Sequence, residues 1–74
     1  MKAFEVICNA FNPPLCSITW AEKASAAKYV NWKSANEVGY KVKFGDFRVK
    51  RSPKHDNHPD AKPNLCRGIE TLSF

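Results

Sequence analysis

Apolar and polar residues alternate at the start of the chain. Phe4, Val6 and Cys8 hold one set of positions, and Glu5 and Asn9 the other. A period of two is what a half-buried strand requires, so a first strand is predicted over 3–9. Ile7 breaks the alternation, and the second face is expected to be partly covered. Phe11-Asn12-Pro13-Pro14 predicts a turn, because two prolines do not continue a central strand. Leu15 to Ile18 predict a short second strand, antiparallel to the first.

The period then changes to that of a helix. Thr19 with Glu22 three residues later has the form of a capping box, in which hydroxyl and carboxylate each satisfy an early backbone N–H. Trp20 to Val38 contain neither Gly nor Pro, and Gly39 follows where a left-handed residue ends a helix. At about 100° per residue, Trp20, Ala24, Ala27, Asn31, Ala35 and Val38 form one stripe, the expected core face. Tyr29 and Trp32 lie off it on one flank.

A second alternation follows, Tyr40-Lys41-Val42-Lys43-Phe44, then Gly45-Asp46, then Phe47-Arg48-Val49-Lys50-Arg51. It predicts a hairpin about a two-residue turn with Gly first. That register sets Phe44 against Phe47 and Val42 against Val49. It also sets Lys43 against Arg48 and Lys41 against Lys50, leaving one face wholly cationic. From 52 to 64, Pro53, Pro59 and Pro63 interrupt a polar stretch, which predicts a loop or mobile tail. A last edge strand is expected over Leu65 to Phe74, through Ile69, Thr71 and Ser73. The predicted fold is α+β: an antiparallel sheet of three to five strands with one helix packed on one face, in the order β-β-α-β-β, within a single domain spanning 1–74.

Composition narrows the function classes. With 74 residues the chain holds one small core and little room for a deep catalytic pocket, so no catalytic residues and no enzyme activity are expected. At 43% hydrophobic residues it is too apolar to be disordered. No apolar run approaches the ~18 residues of a membrane span, and the first residues lack a signal-peptide profile. Three cysteines, Cys8, Cys16 and Cys66, are an odd set without a CxxC, which points to reduced thiols in a cytoplasmic protein. A bridge between Cys8 and Cys16 across neighbouring strands stays open.

Twelve Lys and Arg against seven Asp and Glu give a net charge of +5. A basic balance favours polyanionic or acidic partners, although this magnitude also serves plain solubility. Placement favours the first reading. Like charges facing each other across a hairpin cost stability unless a partner neutralises them, and lysines that merely protect a sheet edge do not need Arg51 and Lys54 beyond them. The candidate partner-binding residues are therefore Lys41, Lys43, Arg48, Lys50, Arg51 and Lys54. Tyr29 and Trp32 are candidates for a secondary contact, or they close the margin of a thin core. His55, Asp56, His58, Asp60 and Cys66 include a His-x-x-His, but the prolines and the distant cysteine argue against a metal site, and no cofactor is expected.

The segment from Ala27 to Tyr40, Ala-Lys-Tyr-Val-Asn-Trp-Lys-Ser-Ala-Asn-Glu-Val-Gly-Tyr, followed by Phe44 to Pro53, resembles small phage and prophage proteins. In these a strand pair leads into an Ala/Tyr-rich helix, a Gly-Tyr stop and a basic strand. Size, element order and basic surface also resemble anti-CRISPR proteins, at the level of architecture. The resemblance assigns no activity by itself. Together with the basic face it leads to the expectation of a non-enzymatic protein in the bacterial host cytoplasm, a monomer or small homo-oligomer, that inhibits a host protein or nucleoprotein complex by occupying an acidic surface. The alternative is an accessory or regulatory protein that binds nucleic acid directly.

Overall fold

A computed structural model describes residues 1–59 and 61–68. The elements run β1 (Lys2–Cys8), β2 (Leu15–Ala21), α1 (Ala24–Glu37), a 3-10 turn (Phe44–Asp46), β3 (Phe47–Arg51), a second 3-10 turn (Pro53–His55) and β4 (Leu65–Gly68). The strands form one antiparallel sheet in the order β3-β1-β2-β4. The α+β class and the β-β-α-β-β order follow the pattern of the sequence. The strand expected over 40–44 does not form.

The predicted hairpin does not form. β3 pairs with β1 instead, and Tyr40–Lys43 run outside the sheet. The charges give a reason. In the hairpin Lys50 would face Lys41, whereas beside β1 it faces Glu5, and the two make a 3.1 Å ion pair. Arg48 faces Ile7 rather than Lys43. One repulsive pair is thus exchanged for an attractive one, and the other for a neutral contact. The carbonyl of Val42 is satisfied without a ladder, accepting from Trp32 Nε1 at 3.1 Å and Asn36 Nδ2 at 3.4 Å.

The helix begins later than the capping signature suggests. Thr19 and Trp20 continue β2, because β4 pairs with that strand at Thr19↔Cys66 and Trp20↔Leu65. Long-range pairing overrides the local capping signal, and Trp20 leaves the helix stripe altogether. The C-terminus follows expectation. Gly39 has φ +102°, Gly39 N–H donates to Asn36 O, and Tyr40 N–H donates to Ala35 O, the double bond of a Schellman cap. Ala27 is fully buried, Asn31 and Ala35 are half-buried, and Val38 is exposed rather than part of the core.

The helix lies on one face of the sheet over Phe4, Val6, Cys8, Ala21 and Phe47, with Val42 closing the same core. Asn31 pins it there. Its Nδ2 donates to Thr19 Oγ1 at 2.7 Å and to Ala27 O at 2.8 Å, while its Oδ1 accepts from Ser17 Oγ at 2.8 Å. Thr19 Oγ1 also reaches Cys66 Sγ on β4 at 3.4 Å.

The second face carries Ala3, Ile18 and Trp20, all buried. The segment expected to be a loop or mobile tail covers it. Residues 52–59 dock there, burying Ser52, His55 and His58, and Ala61 and Leu65 add to the contact. Burying a large apolar side chain such as Trp20 stabilises the fold by about 1.5–3 kcal/mol. Cys8 pairs with Leu15, and Cys16 with Ile7, so the side chains of the two cysteines leave opposite faces; all three cysteines are unbridged. β4 falls on the start of the last edge strand expected over 65–74, while Ile69, Thr71 and Ser73 lie outside the described residues. No helix among the described residues is long and apolar enough to cross a membrane.

Candidate binding surface

On the helix Trp32 follows Tyr29 by three positions and Lys28 by four, the spacings that bring side chains onto one flank. Tyr29 and Trp32 ring centroids are 5.8 Å apart. The connection after the helix then brings Phe44 against Trp32, edge-on at 5.9 Å. Lys28 Nζ stands 4.6 Å over the Phe44 ring, a cation–π distance. The result is a chain of three rings with a cation on its last member. Tyr29 is 49% exposed and Phe44 41%, while Trp32 is half-buried and tied down by its bond to Val42 O. Trp32 therefore closes the core margin, and Tyr29 and Phe44 are left facing outward.

Two of the predicted cations join this surface through the chain. Lys41 and Lys43 flank buried Val42, and both are exposed. Lys43 is fixed at its backbone: its N–H donates to Asp46 Oδ2 at 2.9 Å, and its carbonyl accepts from Asp46 N–H at 3.0 Å. Arg48, also exposed, shares with Lys28 a cleft of about 430 Å³ between β3 and the first turns of α1, lined further by Ala24, Ser25, Phe47 and Val49.

Of the other predicted cations, Lys50 shares the Arg48 side of β3, and Arg51 and Lys54 do not. Lys50 is engaged by Glu5. Arg51 is a structural clasp: Nη1 and Nη2 each reach Asp56 at 2.7 Å, Nη1 also donates to Ala3 O at 2.9 Å, and the guanidinium lies 5.6 Å from the Phe4 ring centre. The same carboxylate accepts Ala3 N–H at 2.7 Å. These bonds, chiefly from Arg51, hold the Asp56 carboxyl well below the usual carboxylate range. Lys54 sits on the segment that covers the opposite face. A single cationic hairpin face is thus replaced by two groups: Lys28, Lys41 and Lys43 on the helix and the connection that carries Phe44, and Arg48 with Lys50 on the side of β3 turned away from the helix.

The histidines serve the cover. Ser52 Oγ and His55 Nδ1 are 2.7 Å apart, Trp20 Nε1 donates to His55 O at 2.8 Å, and the Trp20 and His58 ring centres are 5.9 Å apart. Burial first, then the charges of Lys54 and His58, push the His55 pKa down, against an opposite pull from Glu5. Cys66 is on the helix side of β4, beside Thr19, and burial raises its pKa. No cluster of metal-ligating side chains occurs among the described residues; Asp60 lies outside them.

Lys28 and Phe44 are the residues that reading the sequence misses. Phe44 is assigned there to a strand and an apolar face. The signal for Lys28 was available, since it precedes Trp32 by four positions on the helix. A second depression, about 400 Å³, opens between the C-terminal half of α1 and the adjoining ends of β1 and β2. Leu15, Val38 and Tyr40 are exposed at it, and Phe11 meets Tyr40 edge-on at 5.2 Å. The comparisons with known proteins return nothing: no family model matches the chain, and no curated protein or solved structure matches it.

Proposed function

We propose that this protein is a non-enzymatic binding protein of phage type, acting in the bacterial cytoplasm. It would inhibit a host protein or nucleoprotein complex by occupying an acidic surface on it. The observation that carries this reading is the ring chain Tyr29–Trp32–Phe44 with Lys28 over its end, on a chain that also exposes Lys41 and Lys43 beside Phe44 in sequence and Arg48 on β3. Outward aromatic rings held by packing supply anchor area at little conformational cost, and the surrounding cations steer and orient an acidic partner. Inhibition by occupancy needs no further chemistry, so a domain of this size suffices.

Direct nucleic-acid binding is the second reading, favoured by the two outward rings of Tyr29 and Phe44 beside lysines, the elements of a stacking platform. Affinity capture of the tagged chain from a bacterial lysate, with and without nuclease, separates the two. A protein complex retained after nuclease supports the inhibitor. Partners that all vanish with nuclease favour the nucleic-acid ligand. Capture of nothing in either arm contradicts both.

A further inference from the structure

We propose that the open edge of β3 accepts an extended acidic peptide segment of the partner protein as a fifth strand, seated in the cleft between β3 and α1. This deepens the binding reading above and rests on it.

β3 is an outer strand of the sheet. Its hydrogen-bonding parity is fixed at both ends: Ser52 N–H donates to Ala3 O at 3.0 Å, and Asn9 N–H donates to Asp46 O at 2.8 Å. Backbone groups of 46, 48, 50 and 52 therefore point toward β1, and those of Phe47, Val49 and Arg51 point away from it. Phe47 N–H turns back to Phe44 O. The carbonyls of Phe47 and Val49 and the N–H groups of Val49 and Arg51 remain directed at the edge. That row alternates donors with acceptors. A nucleic-acid backbone offers it acceptors, whereas a peptide strand supplies both.

The side chains flanking that edge define the occupant. Phe47 and Val49 face the helix side, and the cleft there is completed by Ala24, Ser25 and the stem of Lys28. Arg48 and Lys50 face the other side; Arg48 is exposed, and Lys50, paired with Glu5, keeps its side chain 69% exposed. A strand laid beside β3 would thus send alternate residues to an apolar cleft and to a cationic face. Acidic residues alternating with small apolar ones satisfy both.

The test uses the isotope-labelled full chain and three probes: a blocked Glu-Val-Glu-Val-Glu-Val peptide, its Lys-for-Glu counterpart, and octathymidylate. Amide hydrogen exchange is read at Val49 and Arg51. The expected result is exchange slowed by about tenfold or more at both amides with the Glu-Val peptide, and no change with the Lys-Val peptide. No binding of the Glu-Val peptide, binding without protection of these two amides, or the same protection from octathymidylate in the peptide's place would each overturn the proposal. Failure here is distinguishable from failure of the binding reading. A partner captured from lysate that depends on Lys43 and Arg48 leaves that reading standing even when the two amides stay unprotected.

Discussion

Trp20 Nε1 donates to the carbonyl of His55 at 2.8 Å, across a buried contact that spans 35 positions of sequence. The bond fastens the 52–59 segment to the second face of the sheet. That face would otherwise leave the largest side chain of the core in water. Trp20→Phe keeps most of the apolar bulk and removes the donor, leaving the His55 carbonyl with the His58 N–H at 3.2 Å. A loss of about 0.5–1.5 kcal/mol is expected, read as a lower denaturation midpoint at an unchanged denaturant slope.

Acid should weaken the fold in two steps. His55 titrates below its usual value of 6.5 when folded and near that value when unfolded. The unfolded chain therefore takes up its proton first, and the contribution of neutral His55 is present above pH 6.5 and lost as pH falls toward the folded value. Asp56 is depressed from its ordinary 3.8, so its contribution is present above 3.8 and lost as pH falls further. Denaturation midpoints measured from about pH 8 down to about pH 3 should show both losses. His55→Gln should remove the upper one and Asp56→Asn the lower. A midpoint independent of pH above the carboxylate range would contradict the role given to His55.

Much of this was legible in the chain, and the failures share one cause. The faces of β1, the Gly39 stop and the inward Phe47 and Val49 follow from local period and backbone preference. Thr19 and Gly45-Asp46 carry equally good local signals, yet both are overridden by pairing with distant segments. β4 draws Thr19 into the sheet, and Glu5 on β1 offers Lys50 an opposite charge that Lys41 does not. Nothing in the period of residues 52–59 shows that they cover Trp20, because the anchors are single contacts rather than a repeating stripe. The proposed binding surface was half visible. Lys43, Arg48, Tyr29 and Trp32 stand out in the sequence, but the joining of Tyr29 and Trp32 to Phe44 and Lys28 depends on how the connection after α1 folds back.

The thiols give an independent check on the strand register. Cys8 is buried on the helix side, Cys66 is held beside Thr19 with its pKa raised, and Cys16 is half-exposed. Alkylation of the folded protein at neutral pH should modify Cys16 well ahead of the other two, with all three equal in denaturant. Mild oxidation should leave no intramolecular bridge between Cys8 and Cys16. Recovery of that bridge from folded protein would contradict the register of β1 against β2.

The most direct test of the binding surface is the affinity of the Lys43→Glu, Arg48→Glu double variant for the partner captured by the native chain. Both side chains are exposed, and neither makes an ion pair among the described residues, so an unchanged thermal midpoint is expected and isolates binding from folding. Affinity should fall by about tenfold or more at moderate salt, through a slower association and a smaller salt dependence. Equal affinity and equal salt dependence for the native and double-variant chains would contradict the account.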